Sequence, residues 1–195
     1  MMKTKTLLAS IALASGMLFS PLASAVFVSS TSAAPGNIVT DFSGLGVAAI
    51  NLDLTAALPP TTINFRIEAG DGATLAFNAV IANLFGQGIG RFLLSLDNAT
   101  FGALGSVTTS FGSVPLASAN GALAGIEFLP AENFGFTLGD PFLSGATDWT
   151  INISQLVAGD SFALRLAVPE PHSMPLVLAA LALCGISMRR RKRQD

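Results

Sequence analysis

The central part of this sequence lacks four residue types that enzymes commonly use. Between Val26 and Val168 there is no histidine, cysteine, lysine or tyrosine. Their absence removes the usual general bases, the thiol and amine nucleophiles and the common zinc ligands. Only hydrolysis by a pair of carboxylates stays open, and Trp149 is the sole tryptophan available to line a sugar-binding cleft. We therefore expect a protein that is not an enzyme.

Cysteine is almost absent from the whole chain. Cys184 is the only one, and it lies in an apolar run near the C-terminal end. No intrachain disulfide can form, so stability has to come from packing. The composition gives no reason to expect a cofactor.

Positive charge is scarce in the same central part. Arg66, Arg91 and Arg165 are its only basic residues and face ten carboxylates, so residues 26–168 carry a formal charge of −7. A region this acidic cannot neutralise phosphates, which argues against a nucleic-acid partner. Cations and neutral polymers fit this charge better.

The hydrophobic residues of the central part alternate with polar ones, which is the pattern of half-buried strands. Similar runs are separated by turns rich in Gly, Asn, Asp and Pro. The predicted strands are 50–54, 63–68, 74–81, 92–96, 107–111, 126–129, 134–138, 149–153 and 162–167. They favour an all-β domain at 26–167, an antiparallel β-sandwich with a jelly-roll-like arrangement. Residues 74–85 are apolar enough to form a helix instead.

The N-terminal end has the order of a secretory signal. Lys3 and Lys5 precede an apolar stretch at 7–19, and Ala23-Ser24-Ala25 forms an A-x-A cleavage site. We predict a signal peptide over residues 1–25, cleaved after Ala25. An uncleaved anchor helix is the alternative.

The C-terminal end has three parts in a fixed order. Val168-Pro169-Glu170-Pro171 is followed by an apolar segment at 173–188 and by a basic cluster. The basic cluster consists of Arg189, Arg190, Arg191, Lys192 and Arg193. We predict a single transmembrane helix at 173–188, somewhat short for a hydrocarbon core of about 30 Å, with the basic cluster on the cytoplasmic side.

This three-part tail, residues 168–195, resembles the PEP-CTERM sorting signal of Gram-negative bacteria. The resemblance implies that a membrane protease, an exosortase, recognises Val168, Pro169, Glu170 and Pro171 and cuts the chain nearby. The tail would then be a transient anchor in the inner membrane, and the released protein would reach the cell envelope exterior or an exopolysaccharide matrix. A plain membrane anchor with a proline-rich stalk is the alternative.

Two further features of the central part point to binding roles. Gly-Asp turns place Asp71, Asp140 and Asp160 in loops, with Glu68 beside the first, and their oxygen atoms would suit calcium. Gly and Asp also fill tight turns for backbone reasons alone. Most of the 14 phenylalanines are expected in the core because of their two-residue spacing, and the alternative is an exposed pair of rings, Phe134 with Phe136 or Phe142 with Trp149, that would suit a polysaccharide.

The sequence thus predicts an exported surface or matrix protein whose partners are an exosortase, the secretion machinery, the inner membrane and an exopolysaccharide or surface polymer. A carbohydrate-binding or calcium-binding module outside the cell is the alternative. A carboxylate hydrolase is a remote third reading.

Overall fold

A computed structural model describes residues 25–169, and the predicted signal segment 1–24 and tail residues 170–195 lie outside this part. The strands are β1 Phe27–Ser32, β2 Ile38–Asp41, β3 Val47–Leu54, β4 Thr61–Arg66, β5 Thr74–Asn83, β6 Ile89–Asp97, β7 Thr100–Phe101, β8 Val107–Thr109, β9 Ser113–Asn120, β10 Leu123–Glu132, β11 Gly135–Leu138, β12 Trp149–Asn152 and β13 Ser161–Ala167. No helix occurs among these residues, so the predicted all-β class is confirmed and residues 74–83 form a strand.

The strands form two sheets. The first sheet has the order β1-β4-β13-β6-β10-β9, and every neighbouring pair in it is antiparallel. The second sheet has the order β2-β3-β5-β11-β8, and β12 pairs with both β5 and β7. The last strand of the chain, β13, therefore lies in the middle of the first sheet.

One strand pair departs from the predicted antiparallel arrangement. β3 and β5 pair in parallel, with Val47 opposite Ala76 and Leu54 opposite Asn83. Parallel neighbours need a crossover connection, and here the connecting strand β4 belongs to the other sheet. The prediction of a purely antiparallel sandwich was wrong for this pair, and the second sheet is mixed.

The alternating hydrophobic residues of both sheets meet in one core. In β3 the even-numbered positions from Ala48 to Leu54 are buried, and in β13 the buried positions are Phe162, Leu164 and Leu166. Phe92 of the first sheet contacts Phe136 of the second edge to face, with ring centroids 5.0 Å apart. This packing is that of a β-sandwich.

Strands that the sequence did not reveal lie at the edges. β1, β2 and β9 were not predicted, and most of their residues are exposed. β1 and β9 form the two edges of the first sheet, and β2 forms one edge of the second. Edge strands bury little, so the period of two is absent from their sequences.

The registers assign every loop between the long strands to one of two ends. At one end, named the entry pole, the chain enters at Ala25–Val26, because Phe27 of β1 pairs with Arg66 at the end of β4. At the other end, named the exit pole, the chain leaves β13 toward Val168–Pro169. The entry pole contains the loops 42–46, 67–73, 98–99, 121–122 and 153–160. The exit pole contains the loops 33–37, 55–60, 84–88, 110–112 and 133–134.

Candidate functional site

A shallow groove lies on the outer face of the first sheet. It encloses about 580 Å³ and crosses β13, β6, β10 and β9. Leu93, Leu123 and Gly125 supply an apolar surface, while Ser118 and Asn120 supply polar groups. A Cβ atom added at Gly125 would lie 3.4 Å from the Leu93 side chain, so the glycine keeps this part of the groove open.

Arginine is concentrated on the same face. Arg66, Arg91 and Arg165 all point outward from the first sheet, since their neighbours along each strand are buried. Arg91 and Arg165 line the groove, and Arg66 lies outside it. Glu68, Asp97 and Glu127 are the carboxylates near these arginines, but the residues that line the groove include two arginines and no carboxylate.

The three arginines differ in their ion pairs. The Arg66 Nε atom lies 3.7 Å from Glu68 Oε1, and the Arg91 Nε atom lies 4.0 Å from Glu127 Oε1. Both pairs are solvent-exposed and contribute little to stability. Within residues 25–169, no carboxylate lies in ion-pair range of Arg165. The groove can therefore offer two guanidinium groups to an anionic ligand.

A buried carboxylate organises the exit pole. The side chain of Glu132 is fully buried, and its oxygens accept hydrogen bonds from the backbone N–H groups of Phe111 (2.8 Å), Phe134 (2.9 Å) and Gly135 (3.1 Å). Burial alone would raise the pKa of this carboxyl, but the backbone donors outweigh it and the pKa is lowered. Glu132 is therefore ionised at neutral pH and holds the loops 110–112 and 133–134 together.

Two asparagines connect the other loops of the exit pole. Asn37 Oδ1 accepts hydrogen bonds from the N–H groups of Thr55 (2.8 Å) and Ala56 (2.9 Å), which joins loop 33–37 to loop 55–60. The buried Asn83 amide donates to the carbonyls of Gln87 (2.8 Å) and Glu132 (3.0 Å). All five loops of this pole are thus fixed by side-chain hydrogen bonds.

The candidate calcium ligands are not gathered into one site. Asp71 accepts from the N–H groups of Gly46 (3.1 Å) and Glu68 (2.9 Å), and Asp160 accepts from the N–H of Val157 (2.9 Å). Each of these oxygens supports a turn of the entry pole. Across residues 25–169 no group of three acidic, histidine or cysteine side chains could hold a metal ion.

Asp140 lies away from the entry pole and shapes its own loop. Its carboxylate accepts from Ser144 N (2.6 Å), Ser144 Oγ (2.8 Å) and Gly145 N (2.7 Å). The Ser144 backbone N–H, above all, lowers the pKa of this carboxyl. The preceding Gly139 has φ +71°, and a Cβ there would collide with Asn78 Oδ1. The Gly-Asp step at this position therefore serves the turn.

Both predicted aromatic pairs were wrong as exposed pairs. Phe136 and Trp149 are buried in the core, and the Trp149 Nε1 atom donates to the Ser106 carbonyl at 3.0 Å. Phe134 precedes β11 instead of lying within it and is 67% exposed. Its ring contacts Phe111 edge to face, with centroids 6.3 Å apart, so the exposed aromatic pair at the exit pole is Phe111–Phe134.

The predicted sorting motif begins inside the folded domain. Val168 is only 7% exposed and packs in the core, and Pro169 is partly buried. Glu170, Pro171, the segment 173–188 and the basic cluster 189–193 lie outside the described residues, as does Ala23 of the predicted signal cleavage site. Ala25 lies at the entry pole, directly before β1.

No helix within residues 25–169 is long and apolar enough to span a membrane.

No family model, no curated protein and no solved structure matches this chain.

Proposed function

We propose that this protein is an exported cell-surface or extracellular-matrix protein that is sorted, and then cleaved, through its C-terminal tail. In this proposal residues 1–25 are a removable leader, and 173–188 form a membrane helix that an exosortase-type protease separates from a jelly-roll-like sandwich. The role of the released domain is structural or adhesive, and the domain carries out no catalysis.

The observation that carries the proposal is the order of the tail. Prolines precede and follow Glu170 in the sequence, and because a residue before proline disfavours the helical conformation, the proposal has the protease bind an extended segment. The charge of Glu170 keeps the motif out of the hydrocarbon layer, and the basic cluster 189–193 fixes the orientation of the apolar segment. The absence of histidine, cysteine, lysine and tyrosine from the domain supports a role without catalysis.

Because Val168 is buried in the core, the proposal has the protease recognise the motif from Pro169 onward. The proposal therefore has the protease act on the C-terminal side of Val168, and the released domain keeps every residue of β13. It would carry almost no stalk.

The experiment replaces Pro169, Glu170 and Pro171 with alanine in cells that make the full chain. We expect the tail to stay uncut and the protein to stay in the inner membrane, as shown by fractionation and by mass spectrometry of the C-terminus. Glu127→Ala, a half-exposed carboxylate of the domain, is the control and should be processed normally. Release of the triple variant into the medium at its normal size would refute the proposal.

The groove favours the carbohydrate-binding alternative, as a second candidate function. Its apolar surface, its polar Ser118 and Asn120 groups and its two arginines suit a sugar polymer that bears carboxylates. The two arginines of the groove lining, which contains no carboxylate, agree with an acidic polymer, although the domain as a whole is acidic.

Titration of the full chain in mild detergent with polygalacturonate, and with neutral dextran, tests this second candidate. Arg165→Ala and Arg91→Ala should each weaken polygalacturonate binding by about tenfold, since a charged hydrogen bond contributes about 1.5–3 kcal/mol. Arg66→Ala, outside the groove, is the matched control. Equal loss of binding in all three variants, or equal binding of dextran, would exclude the groove as the site.

A further inference from the structure

The two poles of the sandwich differ in charge. None of the residues in the five loops of the exit pole is charged. The loops of the entry pole contain Glu68, Asp71 and Asp160. Two acidic residues lie at strand ends next to the exit pole: Glu132, which is fully buried with three backbone donors around it, and the half-buried Asp53, one residue before the end of β3.

The exit pole also exposes large apolar side chains. They project from four of its loops and from the adjoining part of β10. They are Leu58, Leu84, Phe111, Leu129 and Phe134, which are 46–68% exposed. The hydrogen bonds of Glu132, Asn37 and Asn83 fix the loops that carry most of them. An apolar surface that is already ordered loses little conformational entropy on binding.

The chain leaves the domain at this same pole with almost no linker. After the buried Val168, only Glu170–His172 separate Pro169 from the apolar segment 173–188. Three extended residues span at most about 11 Å. The polar headgroup layer of a bilayer is roughly 5–8 Å thick on each side. If the segment lies in a bilayer, the exit pole is therefore held against the headgroups.

We propose that the exit pole is a lipid-contacting surface that seats the anchored chain on the outer side of the bilayer, with Leu58, Phe111 and Phe134 in the interface. This inference rests on the proposed function, because it requires residues 173–188 to be the anchor. The partner is the lipid surface itself, and the apolar side chains enter the headgroup boundary as those of interfacial helices do.

The charge distribution favours this orientation. A domain of formal charge −7 is repelled by anionic lipids unless its carboxylates are kept away from them. β5 is ten residues long, so the carboxylates of the entry pole lie roughly 30 Å from the exit pole at about 3.3 Å per residue. That distance is several times the Debye length of about 8 Å at physiological salt.

The test uses the full chain reconstituted into phosphatidylcholine vesicles that contain brominated acyl chains, which quench tryptophan fluorescence. Phe134→Trp reports on the exit pole and Phe42→Trp on the entry pole. The two positions are matched, since Phe134 is 67% and Phe42 60% exposed, and the buried Trp149 is a common background. Flotation of the vesicles measures anchoring separately.

We expect quenching of Phe134→Trp to exceed that of Phe42→Trp by about twofold or more, because interfacial side chains lie roughly 5–10 Å deep. Adding Leu58→Asp should reduce the quenching of Phe134→Trp by about half, because a carboxylate resists transfer from water. Leu45→Asp at the entry pole is the control, with 54% exposure against 51% for Leu58, and should leave the quenching unchanged.

The outcomes separate the inference from the proposed function. A chain that floats with the vesicles but shows equal quenching at both positions is anchored without contact by the exit pole, and the inference is then wrong. Self-association that depends on Leu58 in the absence of quenching would also overturn it, in favour of a second copy as partner. A chain that does not float contradicts both the anchor and the inference.

Discussion

The exit and entry poles belong to the same sandwich, but different kinds of side chain fix their loops. Loops of the exit pole depend on buried polar side chains, Glu132 and Asn83, and on the half-buried Asn37. Loops of the entry pole depend on the half-buried Asp71 and the exposed Asp160. A protein can thus order two sets of loops with side-chain hydrogen bonds while one set contains charged residues and the other contains none.

Removing the buried carboxylate should give the largest difference in stability between the two poles. Glu132→Ala leaves the N–H groups of Phe111, Phe134 and Gly135 without their partner, so we expect a loss of about 3 kcal/mol of unfolding free energy. Asp71→Ala at the entry pole should cost only about 1 kcal/mol, since water can replace it. Equilibrium unfolding in urea, with the full chain in mild detergent, measures both. Equal costs would contradict the assignment of Glu132 as the organiser of its pole.

A smaller effect is expected where the chain enters and leaves the sandwich. Val168 is 7% exposed and Val26 is fully buried, so alanine at either position removes core packing worth about 2 kcal/mol. The same urea titration measures the loss. Val168→Thr keeps the shape of the side chain and separates packing from recognition by a protease. If Val168→Ala changes processing but not stability, the residue belongs to the sorting motif and not to the core.

Acid should act on the exit pole through Glu132. Its folded-state pKa lies below the ordinary value of 4.5, so its contribution to stability is complete above pH 4.5 and is lost as pH falls through the lowered pKa. Asp140, lowered from 3.8, acts in the same direction at more acid pH. We expect the urea midpoint of the native sequence to fall below pH 4.5, and that of Glu132→Gln to fall less. Parallel pH curves for the two would show that Glu132 is not the group responsible.

The smallest effect is expected from the arginines of the outer face. Arg66→Ala and Arg91→Ala each remove one exposed ion pair, of 3.7 Å and 4.0 Å, and should change the unfolding free energy by less than about 0.5 kcal/mol. Thermal unfolding followed by circular dichroism checks this. Because stability is hardly altered, any loss of polymer binding in Arg91→Ala can be assigned to the groove. If Arg91→Ala loses much stability, its loss of polymer binding can no longer be assigned to the groove.

The sequence predicted the strands that have one face in the core and the other toward solvent. In β3 and β4 every second side chain enters the core, so the period of two is visible in the sequence. It is missing from β1 and β9, where an edge position leaves nearly every residue exposed. The parallel β3–β5 pair could not be predicted, because it depends on β4 joining the opposite sheet.

The sequence could not predict the groove or the exit pole, for a different reason. Arg91 and Arg165 are far apart in the chain and come to line one groove only through the pairing of β6 with β13. Glu132 is one of ten carboxylates in the central part, and its flanking residues do not mark it as buried. The tail, in contrast, is a local pattern, so it could be recognised, although the burial of Val168 could not.

The middle position of β13 in the first sheet has a consequence for assembly. Residues 161–167 are the last strand to be made, and until they arrive β4 and β6 have open facing edges. Open strand edges are sites of misassembly. The sandwich can therefore close only in a late step, after nearly all of the domain has been synthesised. A chain that stops before Ala167 loses the centre of a sheet and not a dispensable edge, so the domain cannot fold until β13 is present.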